Sequence, residues 1–445
     1  MRTLCRAEAT CFVNKSEKFK VKHNQQLSSQ YASLYFNRLH KLQKFAIENA
    51  KRNFPHTTKV CKTLDALVDE NVVVVGTLFQ NMKGKPDILE KVTRDALAER
   101  PQKHSDKYCG NEQDVLFLED ESGRVALSGK GLEGRFLVTG CVVAVIGKLL
   151  ENGVIDVEGI CLPGVAPLRS LPEVPSTGGE STDRYVALVS GLQFGKVSPL
   201  ALALLSEFLT GQIGSAEDRK LQAAIVRLVV AGNSIAEAPR GDASDMQTII
   251  TPDVTKRMAA AQQESLAQHL ASLDAFLATV GATLPIDVMT GTTDPGSMLI
   301  PQQPMHRCLL QQAARISSVA MVTNPYRFEL DGVDFLGTSG QPVQDMLRYV
   351  PGDDSLAALT ESLEMRHIAP TAPDTVGCLP FTMDDPFVIE DSPAVYFAGN
   401  QNSYASADKE GVRLVCIPDY SCEQTIVLIN LRTRECTPIS FAADF

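Results

Sequence analysis

A chain of 445 residues exceeds what one hydrophobic core usually serves, so two folded domains and a terminal arm are expected. Hydrophobic residues at 44% and charged residues at 21% exclude a disordered or fibrous chain, and a formal charge of -11 excludes a protein that mainly coats nucleic acid, because neutralising phosphates takes clustered Lys and Arg. None of the eleven cysteines falls in a C-x-x-C pair, and Cys5 with Cys11 and Cys416 with Cys422 are too widely spaced for a zinc knuckle, so reduced thiols in a reducing compartment are expected.

Met1 to Val21 interleaves Arg2, Arg6, Glu8, Lys15 and Glu17 with its apolar residues and lacks the continuous apolar core of a signal peptide. The longest apolar runs, such as Phe136 to Ile146, fall short of the roughly 20 residues that span a bilayer. A soluble intracellular protein is the expectation. From Ser28 to Asn53, Tyr31, Leu34, Tyr35, Leu39, Leu42 and Phe45 recur at three- and four-residue steps, the pattern of one amphipathic helix, which either folds onto its own domain or docks a partner.

Five β-rich runs follow: Asn71 to Phe79, Asp114 to Leu118, Arg124 to Ser128, Phe136 to Gly147 and Val154 to Cys161. Asp120 to Gly123 and Glu151 to Gly153 supply hairpin turns, while Gly76, Gly140 and Gly147 interrupt runs where a small barrel must coil or bulge. The strand count fits an oligonucleotide-binding-type (OB) barrel. Pro163 to Asp183 is rich in Pro, Gly and Ser and has no period, so it reads as a linker.

Beyond it the pattern turns to α/β, with strands at Arg184 to Ser190, Ile225 to Ala231 and Ile286 to Thr290 alternating with helices at Ser198 to Leu209 and Pro252 to Val280. Asp331-Gly332 marks a hairpin inside Arg327 to Gly337. Pro393 to Ala398, Val412 to Ile417 and Thr425 to Leu431 complete a mixed sheet. The expected domains are an arm at 1–64, an OB-fold domain at 65–165, a linker at 166–183 and an α/β domain at 184–445.

The core strands of that last domain end in small-residue turns: Ser190-Gly191-Leu192, Ala231-Gly232-Asn233, Thr290 to Asp294, Thr323-Asn324-Pro325 and Ala398 to Asn402. Carboxyl ends of strands are where active sites form in open α/β sheets. Each turn alone has a backbone explanation, since Gly and Asn tolerate left-handed conformations. Their order resembles the calcineurin-like two-metal phosphoesterases, whose turns read D-x-H, G-D-x-x-D, G-N-H-[DE] and G-H-x-H. Where that family holds its metals, this chain has Ser190 and Leu192, then Asn233 and Ala236, then Thr292 and Thr293, with Asn324 between, and finally Asn400 and Asn402. Two cations about 4 Å apart need a bridging carboxylate and several imidazoles to offset their repulsion. Only His269, His306 and His367 lie in the second domain, none in such a turn, so no catalytic residue, metal ligand or cofactor is expected. Two other motifs fail on spacing. Gly191 to Lys196 has three residues between its glycines, where a phosphate loop has four, and Val197 follows; Ser339 lacks the second glycine of G-x-S-x-G.

A barrel, a linker and a degenerate phosphoesterase domain in this order resemble the small (B) subunits of the replicative DNA polymerases. Val72 to Phe79 (VVVVGTLF), Leu116 to Asp120 (LFLED), Gln30 to Leu42 (QYASLYFNRLHKL), Ile286 to Asp294 (IDVMTGTTD), Pro301 to His306 (PQQPMH), Val322 to Tyr326 (VTNPY), Phe335 to Gln341 (FLGTSGQ) and Arg366 to Gly377 (RHIAPTAPDTVG) resemble the delta type, over roughly 28–445. The resemblance implies an α/β fold, α+β overall: an OB-type β-barrel plus a calcineurin-like phosphoesterase mixed β-sandwich flanked by helices. It also implies a non-catalytic nuclear scaffold in DNA replication and repair synthesis. Its partners would be the cysteine-rich C-terminal domain of the polymerase delta catalytic subunit and a third small subunit, with DNA touched only indirectly or weakly and no membrane. The rival readings are a metal-dependent phosphoesterase or nuclease with unorthodox ligands, and a single-strand DNA-binding OB module. Against the latter, Asp65 to Val165 holds only Phe79, Tyr108, Phe117 and Phe136 as aromatics.

Overall fold

The computed structural model describes residues 5–22, 27–28, 30–56, 59–85, 107–110, 114–168, 183–237 and 252–441. The chain divides into two compact units, one built from Met1–Val21, Ser170–Gly340 and Pro393–Phe445, the other from Lys22–Arg169 and Gln341–Ser392. Packing therefore departs from chain order. Residues 341–392 belong with the barrel and the first residues with the sandwich, whereas the division at 65–165 and 184–445 follows the sequence alone. Most of the expected linker, 169–182, lies outside the described residues.

In the barrel unit, Asn71–Asn81 pairs antiparallel with both Val115–Glu119 and Val142–Leu149, and Arg124–Ser128 pairs in parallel with Val154–Cys161, which returns antiparallel to Val142–Leu149. The circuit closes in the order of an OB barrel. Alternation explains the unbroken valines of the first strand: Val72 and Val74 point into the barrel with Leu118, Leu127, Val143 and Val145. Val73 and Val75 point out, onto Leu39, Leu42, Ala46 and Ala50 of the helix Ala32–Asn53. Gly159 is obligatory because a Cβ there would meet the Phe54 ring at 2.3 Å. The register shifts at Ile146/Gly147, the bulge that Gly147 suggests.

One expected strand begins later than its apolar run. Residues 136–141 are not in a strand, because Gly140 turns at φ 86° and donates its N–H to the Leu78 carbonyl, leaving Leu137 and Val138 as core filling. A short sixth strand, Val60–Cys61, adds in parallel beside Val73 and Val74.

The other unit holds two six-stranded sheets. One runs Val319–Val322, Ile286–Met289, Ile225–Ala231, Tyr185–Val189, Thr425–Asn430, Cys436–Ser440, its first four strands parallel. The second runs Phe12–Asn14, Tyr326–Leu330, Val333–Thr338, Val395–Gln401, Val412–Pro418, Ala405–Lys409. Side chains alternate again. Val186, Leu188, Val229 and Met289 meet Phe328, Phe335, Val395 and Phe397 in one core layer, while Ala187, Val189, Leu228 and Val288 carry Leu205, Leu209, Leu273 and Leu277 from the helices Pro199–Thr210 and Pro252–Gly281. The two sheets form a mixed sandwich flanked by helices. Asp331 and Gly332 both turn at positive φ, 49° and 82°, as a two-residue hairpin requires.

Candidate functional site

Parallel strands put their carboxyl ends on one edge of a sheet, so Tyr185–Val189, Ile225–Ala231 and Ile286–Met289 deliver their following turns to the same place. Asn400 stitches them together. It sits at φ 53° and donates Nδ2 to the carbonyls of Ala231 (3.1 Å) and Ser339 (2.7 Å). Its backbone N–H donates to Ser190 Oγ (2.8 Å), and that hydroxyl donates to the Pro418 carbonyl (3.0 Å). Asn324 continues the chain of amides: Nδ2 donates to Ser339 Oγ (2.7 Å) and Gln302 Oε1 (2.8 Å), and Oδ1 accepts from the Ser339 N–H (3.0 Å). Gln302 closes on the carbonyls of Gly291 and Ser297.

Two carboxylates reach this edge, and both are occupied by donors. Asp294 accepts from the backbone N–H groups of Gly291 (2.8 Å) and Ile235 (3.0 Å), with those of Ser234 and Asn233 also turned on it, and burial nonetheless pushes its pKa up to about 6. Asp419 accepts from Gln193 Nε2 (2.7 Å) and the Ser421 N–H (2.8 Å). Asn233, at φ 54°, accepts through Oδ1 from the Thr293 N–H (3.3 Å), and Thr293 Oγ1 donates to the Ile235 carbonyl (2.7 Å). The glycines leave no slack: a Cβ on Gly291 would lie 2.3 Å from Asn233 Oδ1, and one on Gly191 2.3 Å from Asp419 Oδ1.

The structure thus brings Ser190, Asn233, Thr293, Asn324 and Asn400 to one edge. It does not bring Leu192, which is fully buried in the apolar layer under the helices, nor Asn402, which is exposed, and Thr292 is exposed as well. Ser339, Gln302, Asp294 and Asp419 complete the cluster. Sequence reasoning passed over them as site residues, although Asp419 follows a strand end and Asp294 closes the third turn. Of the histidines, His269 abuts Gly195 from a helix, His306 contacts Cys308, and His367 pairs with Asp385 at 2.9 Å. Among the described residues, no group of three or more His, Cys, Asp and Glu is arranged to hold a metal ion. Amides and hydroxyls bonded to one another and to backbone groups make up most of the cluster, and they differ from the carboxylate-and-imidazole donor set that two adjacent divalent cations need.

Residues 186–406 match the family model for the B subunit of DNA polymerase alpha/epsilon, and residues 30–160 match that for the DNA polymerase delta subunit OB-fold domain. The chain is 36% identical over 98% of its length to the DNA polymerase delta small subunit of Oryza sativa subsp. japonica, covering 98% of that protein. It is 37% identical to the Arabidopsis thaliana small subunit, over 96% of this chain and 94% of that one, and 30% identical to the Saccharomyces cerevisiae small subunit, over 98% and 94%. The chain belongs to the family of DNA polymerase delta small subunits, the B subunits of the replicative polymerases.

Proposed function

We propose that this chain is the non-catalytic accessory subunit of DNA polymerase delta, linking the cysteine-rich C-terminal domain of the catalytic subunit to a third, small subunit during replication and repair synthesis in the nucleus. Ser190, Leu192, Asn233, Thr292, Thr293, Asn324, Asn400 and Asn402 are read as former metal-site positions. The observation that carries this reading is likeness to delta small subunits along nearly the whole chain, in a molecule whose strand-end turns hold mostly neutral groups bonded to one another. Such a chain acts by binding. The formal charge of -11 favours protein partners over DNA.

The test is co-expression with the catalytic subunit, nuclease treatment and size exclusion at rising salt. A complex bridged by DNA loses affinity steeply between about 50 and 200 mM salt, whereas one with an apolar interface persists. Co-elution at high salt is expected; separate elution of two folded chains would overturn the assignment.

A further inference from the structure

Residues 59–70 cross the outside of the barrel, held at three points. Val60–Cys61 pairs with Val73 and Val74, Thr63 is buried with its N–H on Asp120 Oδ2 (2.6 Å), and Ala66 enters the barrel core. Leu64, between these anchors, and Leu67 and Val68, just after them, stand 70%, 61% and 50% exposed, with the Val68 backbone bridged to Leu149. Scattered exposed leucines need no account, but three large apolar residues within five positions form a patch. Beside them opens a cavity of about 390 Å³ with Leu39, Ile47, Val60 and Val75 in its wall and Lys62, Asp65, Asp120 and Glu121 in its lining. Val60–Cys61 stands at the end of its sheet order.

Charge says what fits there. Asp65, Asp69, Glu70, Asp120 and Glu121 surround the patch, against Lys59 and Lys62, which are already paired with Glu70 and Glu121. This excess of carboxylates repels phosphate, and repels a second copy of the same face. We infer that this face docks a basic protein segment with bulky apolar side chains, which pack on Leu64 and Leu67 while its Lys or Arg residues meet the exposed Asp65 and Asp69. The inference stands on the barrel unit alone and does not depend on the polymerase assignment.

The test uses the full chain with a fluorescein-labelled leucine–lysine peptide and a leucine–glutamate counterpart. The substitutions Leu64→Ser with Leu67→Ser, and Asp65→Asn with Asp69→Asn, sit at exposed side chains and leave folding intact, as thermal melts would check. Expected are hydrogen-exchange protection of residues 59–70 by the lysine peptide, roughly tenfold weaker binding in each double variant, and no binding of the glutamate peptide. Protection elsewhere on the chain, or unchanged affinity in the variants, would overturn the inference.

Discussion

Asn400 and Asn233 share a left-handed backbone and the same dipeptide, Gly-Asn, yet use opposite ends of their amides. The structure separates them. Asn400 donates both contacts of Nδ2 to carbonyls, so an aspartate there would set a buried charge against two oxygens; Asn400→Asp should destabilise by about 2–4 kcal/mol. Asn233 uses Oδ1 as an acceptor and is half-buried, so Asn233→Asp should stay within about 1 kcal/mol. Urea denaturation compares the two, and equal midpoints would contradict the hydrogen-bond directions.

Asp287 makes a second residue-scale prediction. It is buried inside the strand Ile286–Met289, with Tyr326 Oη at 3.0 Å and Arg227 Nε at 3.3 Å, and burial outweighs both partners to push its pKa up to about 6. A carboxyl whose folded pKa lies above its unfolded value binds its proton more tightly when folded, so its contribution to stability grows as pH falls from 7 towards 4.5, by about 2 kcal/mol. Asp287→Asn should remove that pH dependence, and denaturant midpoints across the range read it directly.

At the scale of the element, the helix Ala32–Asn53 was legible from its apolar period, but the charged residue on its buried face was not. Arg38 occupies the slot four residues after Leu34 and four before Leu42, on the buried face. Only the fold shows why it is there. Its guanidinium, fully buried, donates to Asp385 (2.8 Å) and to the carbonyls of Gly140, Pro370 and Ala372, while Asp385 also meets His367. The positive groups hold the Asp385 carboxyl well below the usual range despite its burial, so its stabilising contribution is lost as pH falls below the ordinary carboxylate pKa towards that depressed value. Removing one partner leaves a buried charge alone: Arg38→Met should cost about 3–5 kcal/mol, and Arg38→Met with Asp385→Asn less than the sum of the singles. Lys41→Ala, which breaks half-exposed pairs with Asp384 and Glu390, should cost under about 1 kcal/mol.

At the scale of the whole molecule, the strand-end turns converge on groups already engaged with one another: Asp294 and Asp419 each accept from N–H donors, and Ser339 Oγ accepts from Asn324. Hydrolysis of an aryl phosphate with manganese, magnesium or zinc should equal the buffer rate. Turnover that is abolished by Asn233→Ala would contradict this.

The long strands, the three longest helices and the order of the turns were determined by the sequence itself, because period, Gly-Asn and Asp-Gly signals act over a few residues. The edge strands Phe12–Asn14, Val319–Val322, Ala405–Lys409 and Cys436–Ser440 were not legible, since such short segments gain their hydrogen bonds only from a sheet already formed. Nor were the helices Ala216–Ala224, Gln341–Arg348 and Ser355–Glu364, too short to carry a decisive period. Tertiary structure alone decided that residues 341–392 pack with the barrel, and that Ser339 and Gln302 join Ser190, Asn324 and Asn400. Those pairings lie far apart in the chain, and a hydrogen bond depends on distance and direction in space, which no local pattern encodes.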